Sequence, residues 1–277
     1  MKTDTKSKQK IPMAITFDAP GTSKRDDAVW CQKTNNGYMV LGYITATDAS
    51  LDAKNDYLVI RCELRFDSSG KYKSCEFDLT KIYIAANYSF SDQSFLRNGG
   101  GSRQKHNVVV NLLDAVATAN QNYIGVEEGF HKRSIEWLMS GINMCAGQYL
   151  EKHAVFAIFS NRVILRHTGF VSWAQRVFEY YADGLFPESK EDRLKNILSG
   201  EWFRAEQSVG CVSRRVYGSA FAQVTSPLRQ EIDCVNLNQM LALLSGDRER
   251  LFGKKRIVKS LKYVDAQRDP RSAPIRA

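Results

Sequence analysis

Histidine is scarce in this chain. His106, His131, His153 and His167 are the only four in 277 residues, and none of their spacings puts two on one helix face or one metal ion. A zinc hydrolase or a Ser-His-Asp enzyme therefore has no support. Cysteine is present but unorganised: Cys31, Cys62, Cys75, Cys145, Cys211 and Cys234 form neither a C-x-x-C pair nor a compact framework. Reduced thiols in a cytoplasmic setting are the expectation. No run approaches the roughly 18 apolar residues of a membrane span. The start, MKTDTKSKQK, has no apolar signal core. A soluble, unexported protein with no membrane partner is expected.

What is present is length enough for one large body and a net charge of +9 with pI ≈ 9.2. Such a balance suits a polyanionic partner, although charge alone speaks only of non-specific attraction. Much of the excess lies in Lys2 to Lys10 and Arg248 to Arg276. The expected division is a basic arm over 1–11, one body over 12–246, and a basic tail of little periodicity over 247–277.

Tyr57 to Phe66 alternates apolar and polar residues, the period of a half-buried strand, and strands are also expected over 14–18, 28–31, 38–44 and 75–84, with Asn35-Asn36-Gly37 as a hairpin turn. Helical spacing predicts helices over 108–120 and 233–244. It also predicts a long central one through Ile135, Leu138, Met139, Ile142, Cys145, Tyr149 and Leu150, where Gly141, Ala146 and Gly147 allow close packing. Val155 to His167 reads as strand and Val171 to Tyr181 as helix. Leu194, Ile197, Leu198, Trp202 and Phe203 form a further helical stripe. The fold class is α+β, a mainly antiparallel sheet packed by helices. The glycine-rich stretch Arg97 to Lys105 fits a surface loop better than a phosphate cradle, because the strand-loop-helix context and the Lys-Ser/Thr ending are missing.

The chemistry concentrates in Ile15 to Trp30, ITFDAPGTSKRDDAVW. A short strand delivers Asp18, a Pro-Gly turn reverses the chain, and Asp26 and Asp27 follow. Three carboxylates so gathered repel unless a cation offsets them, which makes Asp18, Asp26 and Asp27 a candidate Mg²⁺ site. The same residues also fit a polar loop in which Asp26 or Asp27 caps a helix. A second cluster, Arg214, Arg215 and Tyr217, is basic and aromatic and faces either nucleic acid or solvent.

The acidic stretch resembles the signature of the RNB domain, the catalytic module of RNase II and RNase R exoribonucleases, with Asp18, Asp26, Asp27 and Ala28 on matching positions. Three further stretches resemble the family in the same order: the hairpin Ser50 to Asp92, the central helix Ile135 to Phe156, and Thr225 to Arg229, TSPLR, followed by Asp233 and Asn236. The resemblance implies that Asp18, Asp26 and Asp27 hold Mg²⁺. It also implies that Arg229 meets the phosphate at the scissile bond, with Asp26 and Arg229 the catalytic pair if the chain is active.

The departures are equally specific. Lys24 stands where the family has a metal-facing Asp. Only a short connection joins the strand ending at Ile44 to Ser50, where the family has several dozen residues lining its channel. Phe156-Ala157-Ile158-Phe159 replaces a Phe-Arg-x-His element, and Gln230 and Glu231 follow TSPLR where a basic residue and a Tyr belong. The family's accessory RNA-binding barrels find no counterpart.

The favoured reading is a catalytically lapsed RNB-fold protein without a cofactor. It acts by binding a ribonuclease, an RNA-degrading complex or single-stranded RNA, inhibiting or modulating RNA degradation as a regulatory or virus-encoded decoy in the host cytoplasm. Arg214, Arg215, Tyr217 and Arg229 are its contact residues and a homodimer its expected state. The alternative is an active Mg²⁺-dependent 3'-5' exoribonuclease of single-stranded RNA.

Overall fold

In a computed structural model, residues 12–90, 92, 102–119, 130–160, 203–207 and 222–268 are described. Strands β1 (Met13–Asp18), β2 (Asp27–Thr34), β3 (Gly37–Thr45), β4 (Asp56–Asp67) and β5 (Tyr72–Ser89) come first. They are followed by α1 (Arg103–Ala119), α2 (Phe130–Lys152), β6 (Phe156–Ser160) and β7 (Phe203–Gln207). The chain then forms α3 (Glu231–Leu244), a 3₁₀ turn (Arg248–Arg250) and α4 (Lys254–Arg268).

The first five strands pair in sequence order and close into a barrel. Four pairings are antiparallel, and β1 closes the barrel by running parallel to β5, with Asp18 opposite Ser89. A β6–β7 pair forms a separate two-stranded sheet. The α+β, mainly antiparallel expectation is met. Closure is the added feature, and it rests on β5 being longer than its apolar alternation announces, continuing past Ile84 to Ser89 so that β1 has a partner.

The turns have local causes. Asn35 and Asn36 alone link β2 to β3, and Gly37 follows at φ +142°, where an added Cβ would lie 2.0 Å from the Phe66 carbonyl oxygen. The β4–β5 turn is tied by Asp67, whose Oδ1 accepts hydrogen bonds from the backbone N–H groups of Ser69 and Lys71, both at 3.0 Å.

Alternation along the strands sorts side chains onto two buried faces. Val40, Ile44, Ile60, Cys62 and Leu64 join Leu112 of α1, Leu138, Ile142 and Leu150 of α2, and Met240 of α3 in the main core. Leu41, Tyr43, Val59, Ile82 and Ile84 point the other way into a second cluster with Leu51. The helices expected over 108–120 and 233–244 and through Ile135 to Leu150 are present over their described stretches, and Gly141, Ala146 and Gly147 of α2 are buried. The close approach, however, depends on a glycine across from α2. A Cβ on Gly42 of β3 would come within 2.1 Å of Ile142 Cδ1.

Two expectations are corrected. Phe203, placed in a helical stripe, lies on β7. The stretch past Gly246 is no featureless tail, because Lys254–Arg268 is helical, Ile257 is fully buried, and it packs with Ile158, Ile232 and Val235. The basic residues around it hid a thin apolar stripe of Ile257, Val258 and Leu261. The helix expected over Val171 to Tyr181, the rest of the strand past Ser160, and Arg97 to Gly101 lie outside the described residues. No helix among the described residues is long and apolar enough to cross a membrane.

The Gly42 contact is testable. Gly42→Ala is expected to cost about 1–3 kcal/mol by overpacking against Ile142. Adding Ile142→Val should recover part of that loss, read as a shift in urea midpoint at constant slope. Strictly additive losses in the double variant would mean that the two sites do not touch.

Candidate functional site

Asp18 ends β1, Asp27 opens β2, and residues 19–26 link them. The end of this loop is fixed by its backbone: the Asp26 carbonyl accepts a bond from Thr45 N–H (2.9 Å), and the Arg25 carbonyl accepts one from Leu51 N–H (3.0 Å). Asp26 is fully buried. Its Oδ1 accepts from Leu228 N–H at 2.6 Å and its Oδ2 from Arg229 Nε at 2.5 Å. The acidic loop and the TSPLR turn, about 200 residues apart in sequence, thus meet at one carboxylate. The guanidinium is also oriented by a bond from Nη2 to Ser226 Oγ (3.1 Å), and its side chain is 47% exposed.

The turn is held from behind by buried polar side chains. Asp233 in the first turn of α3 accepts the Ser226 N–H at 2.9 Å. Asn143 of α2 accepts the Val224 N–H (2.8 Å) and donates to Thr225 Oγ1 (3.3 Å). Asn236 of α3 reaches three backbone groups at once, accepting from Ile158 N–H and donating to the carbonyls of Ile158 and Gln223. Asn143 was missed by sequence reading, although a polar residue between Ile142 and Met144 on a buried helix is the signal that could have found it.

The remaining carboxyls are not balanced. Asp18 is 8% exposed, its Oδ2 receives no hydrogen bond, and Arg25 Nε lies 3.7 Å away. Burial pushes its carboxyl up, against the lowering effects of a Thr16 hydrogen bond and of Arg25 and Arg229. Arg25 is shared with Asp52 (2.9 Å). Asp27, a half-buried residue with a desolvated carboxyl, is pushed up to about 8 by burial first and by the nearby charges of Asp18 and Asp26 next. Asp233 is raised to about 6 by burial, and its Oδ2 is also unbonded.

Lys24 does not pair with Asp26 or Asp27; it donates to the Leu228 carbonyl at 3.2 Å, adding a second tie to the same turn. Both oxygens of Asp26 are engaged, and Arg25 stands beside the buried, unbonded Oδ2 of Asp18. Among the described residues no group of three acidic, His or Cys side chains is arranged to hold a metal ion. As placed, Asp26 has a protein donor on each oxygen, while Asp18 Oδ2 and Asp233 Oδ2 have none. Arg214, Arg215 and Tyr217 lie outside the described residues.

The fold has counterparts among solved structures. The chain matches Mycoplasma genitalium RNase R in complex with ribose methylated single-stranded RNA at TM-score 0.60 and 14% identity, covering 95% of this chain and 55% of that one. The fold is RNB-like. An active-site mutant of the Dss1 exoribonuclease from Candida glabrata matches at TM-score 0.59 and 12% identity, over 90% of this chain and 44% of that one. Yeast Ssd1, described as a pseudonuclease, matches at TM-score 0.54 and 10% identity, over 84% and 39%. The RNB-like chain spans about half the length of these proteins or less. No family model and no curated protein matches its sequence.

Two measurements test the site. Arg229→Ala leaves a fully buried carboxylate short of its cation and is expected to cost about 3 kcal/mol in unfolding free energy; an unchanged urea midpoint would refute the pairing. Asp27 binds its proton more tightly folded than unfolded, so its contribution is fully present below the ordinary value of 3.8 and is lost as pH rises towards about 8. Unfolding free energy should therefore fall across that window, and Asp27→Asn should flatten the decline and be the more stable protein at pH 8.

Proposed function

We propose that this chain is an RNB-fold protein of RNA metabolism that acts by association rather than by phosphodiester cleavage, and without a cofactor. The observation that supports it most is the closed Asp26–Arg229 pair. An arginine that is to neutralise a phosphate needs its guanidinium free, and a carboxylate that is to bind a divalent ion needs its oxygens free. Here each occupies the other. Lys24 and Arg25 add positive charge to the same loop, and a cation within a few ångströms of a divalent ion repels it by several kcal/mol in a protein interior.

The partners that suit this reading are single-stranded RNA, or a ribonuclease or RNA-degrading complex whose action the chain modulates, with a homodimer as the working state. RNA is the partner named for RNase R in the matched complex. The accessible half of Arg229 keeps a cation at the mouth of the cleft without requiring chemistry there.

Incubation of the purified protein with a labelled single-stranded RNA oligomer and Mg²⁺ is expected to leave the oligomer intact, and Lys24→Asp should not restore cleavage, since the Asp26–Arg229 pair remains. Stepwise loss of nucleotides that Asp26→Asn abolishes would establish the exoribonuclease instead. Light scattering on the same sample reads the dimer.

A further inference from the structure

The 3₁₀ turn and α4 carry a feature that the RNB-like cleft does not use. From Lys254 to Tyr263 the chain reads KKRIVKSLKY, five cations and no acid in ten residues. Ile257, fully buried, and Leu261 face inward against Ile158, Ile232 and Val235. Lys255, Lys259 and Tyr263 are exposed and stand at i, i+4 and i+8, one above another on the outer face. Tyr263 is 56% exposed, the most open of the large hydrophobic side chains described.

We propose that this face binds the backbone and a base of single-stranded RNA, a proposal that rests on the RNA-metabolism reading above. Lys255, Arg256, Lys259, Ser260 and Tyr263 line a shallow depression of about 850 Å³ together with Glu231. Among the described residues no carboxylate pairs with Lys254, Lys255, Arg256 or Lys259, so their charge is unspent in the folded chain. The one acid in the depression, Glu231, accepts a hydrogen bond from Ser260 Oγ at 3.3 Å. Arg256 lies over Phe252, its guanidinium carbon 3.7 Å from the ring centroid, and the contact holds in place a fork of donors suited to phosphate. An exposed aromatic ring beside unpaired cations is the combination that binds single strands without sequence preference, the cations tracking the backbone and the ring stacking a base. An acidic peptide would use the cations and leave Tyr263 idle.

The test is fluorescence anisotropy of a labelled uridine 12-mer RNA, titrated with full-length protein in EDTA at several salt concentrations. Lys255→Ala/Lys259→Ala is expected to weaken binding about tenfold and to reduce the slope of log K against log salt by about 1.4, the value for two lost phosphate contacts on a single strand. Lys255→Arg/Lys259→Arg should bind as the unaltered protein does. Tyr263→Ala should lose about tenfold with the slope unchanged, as stacking predicts. Unaltered affinity and slope in the alanine pair would overturn the face while leaving the RNA-metabolism reading intact, and so would polyglutamate competing as well as RNA at equal charge. Cleavage of the oligomer when Mg²⁺ replaces EDTA would overturn the non-catalytic reading and leave the face standing.

Discussion

A carboxylate with no water around it must be answered by the protein, and Asp26 is that carboxylate here. A backbone N–H and a guanidinium converge on its two oxygens. Both donors come from a turn that α3 and α2 hold in place, so the barrel and the helical layer cannot separate without stranding the charge. The same contact therefore joins the acidic loop to the TSPLR turn, and it does so through a guanidinium that stays 47% exposed.

Around that contact the structure repeatedly uses side-chain amides in place of strand pairing. Asn143, Asn236 and Gln239 are buried and each bonds backbone groups on other segments. A buried amide costs free energy unless its donors and acceptors are matched, so Asn143 and Asn236 fix the geometry of the 222–226 segment and Gln239 that of Phe156 and Phe252. Arg229 is aimed through this scaffold, at two removes from the residues that define its position.

Much of this was legible in sequence, and the limits have physical causes. Alternation in β4 showed which side chains share a face, because period 2 survives where one side of a strand is buried. The meeting of Asp18's loop with TSPLR followed from family resemblance and not from spacing, since contacts across two hundred residues leave no local trace. Barrel closure was invisible because β5 past Ile84 reads as Ala, Asn, Tyr and Ser, a stretch made strand by its parallel partner and not by its own pattern. The α4 helix was missed for the opposite reason: its apolar stripe is three residues wide in a field of lysines, and only the presence of Ile158 and Val235 beneath it gives those residues somewhere to go. The partners of Asp26 were not legible, because a sequence shows charge and not who answers it.

The small sheet of β6 and β7 shows what the amide pins accomplish beyond positioning. A two-stranded ribbon has two open edges, each a row of backbone groups able to recruit another chain. On β6 the Phe156 carbonyl is bonded by Gln239, and both the N–H and the carbonyl of Ile158 are bonded by Asn236. To a foreign strand α3 therefore presents a ladder whose rungs are already taken. An apolar sequence such as Phe156-Ala157-Ile158-Phe159, left bare, would be among the most adhesive surfaces of the chain, and the two amides make it unavailable for growth into an extended sheet.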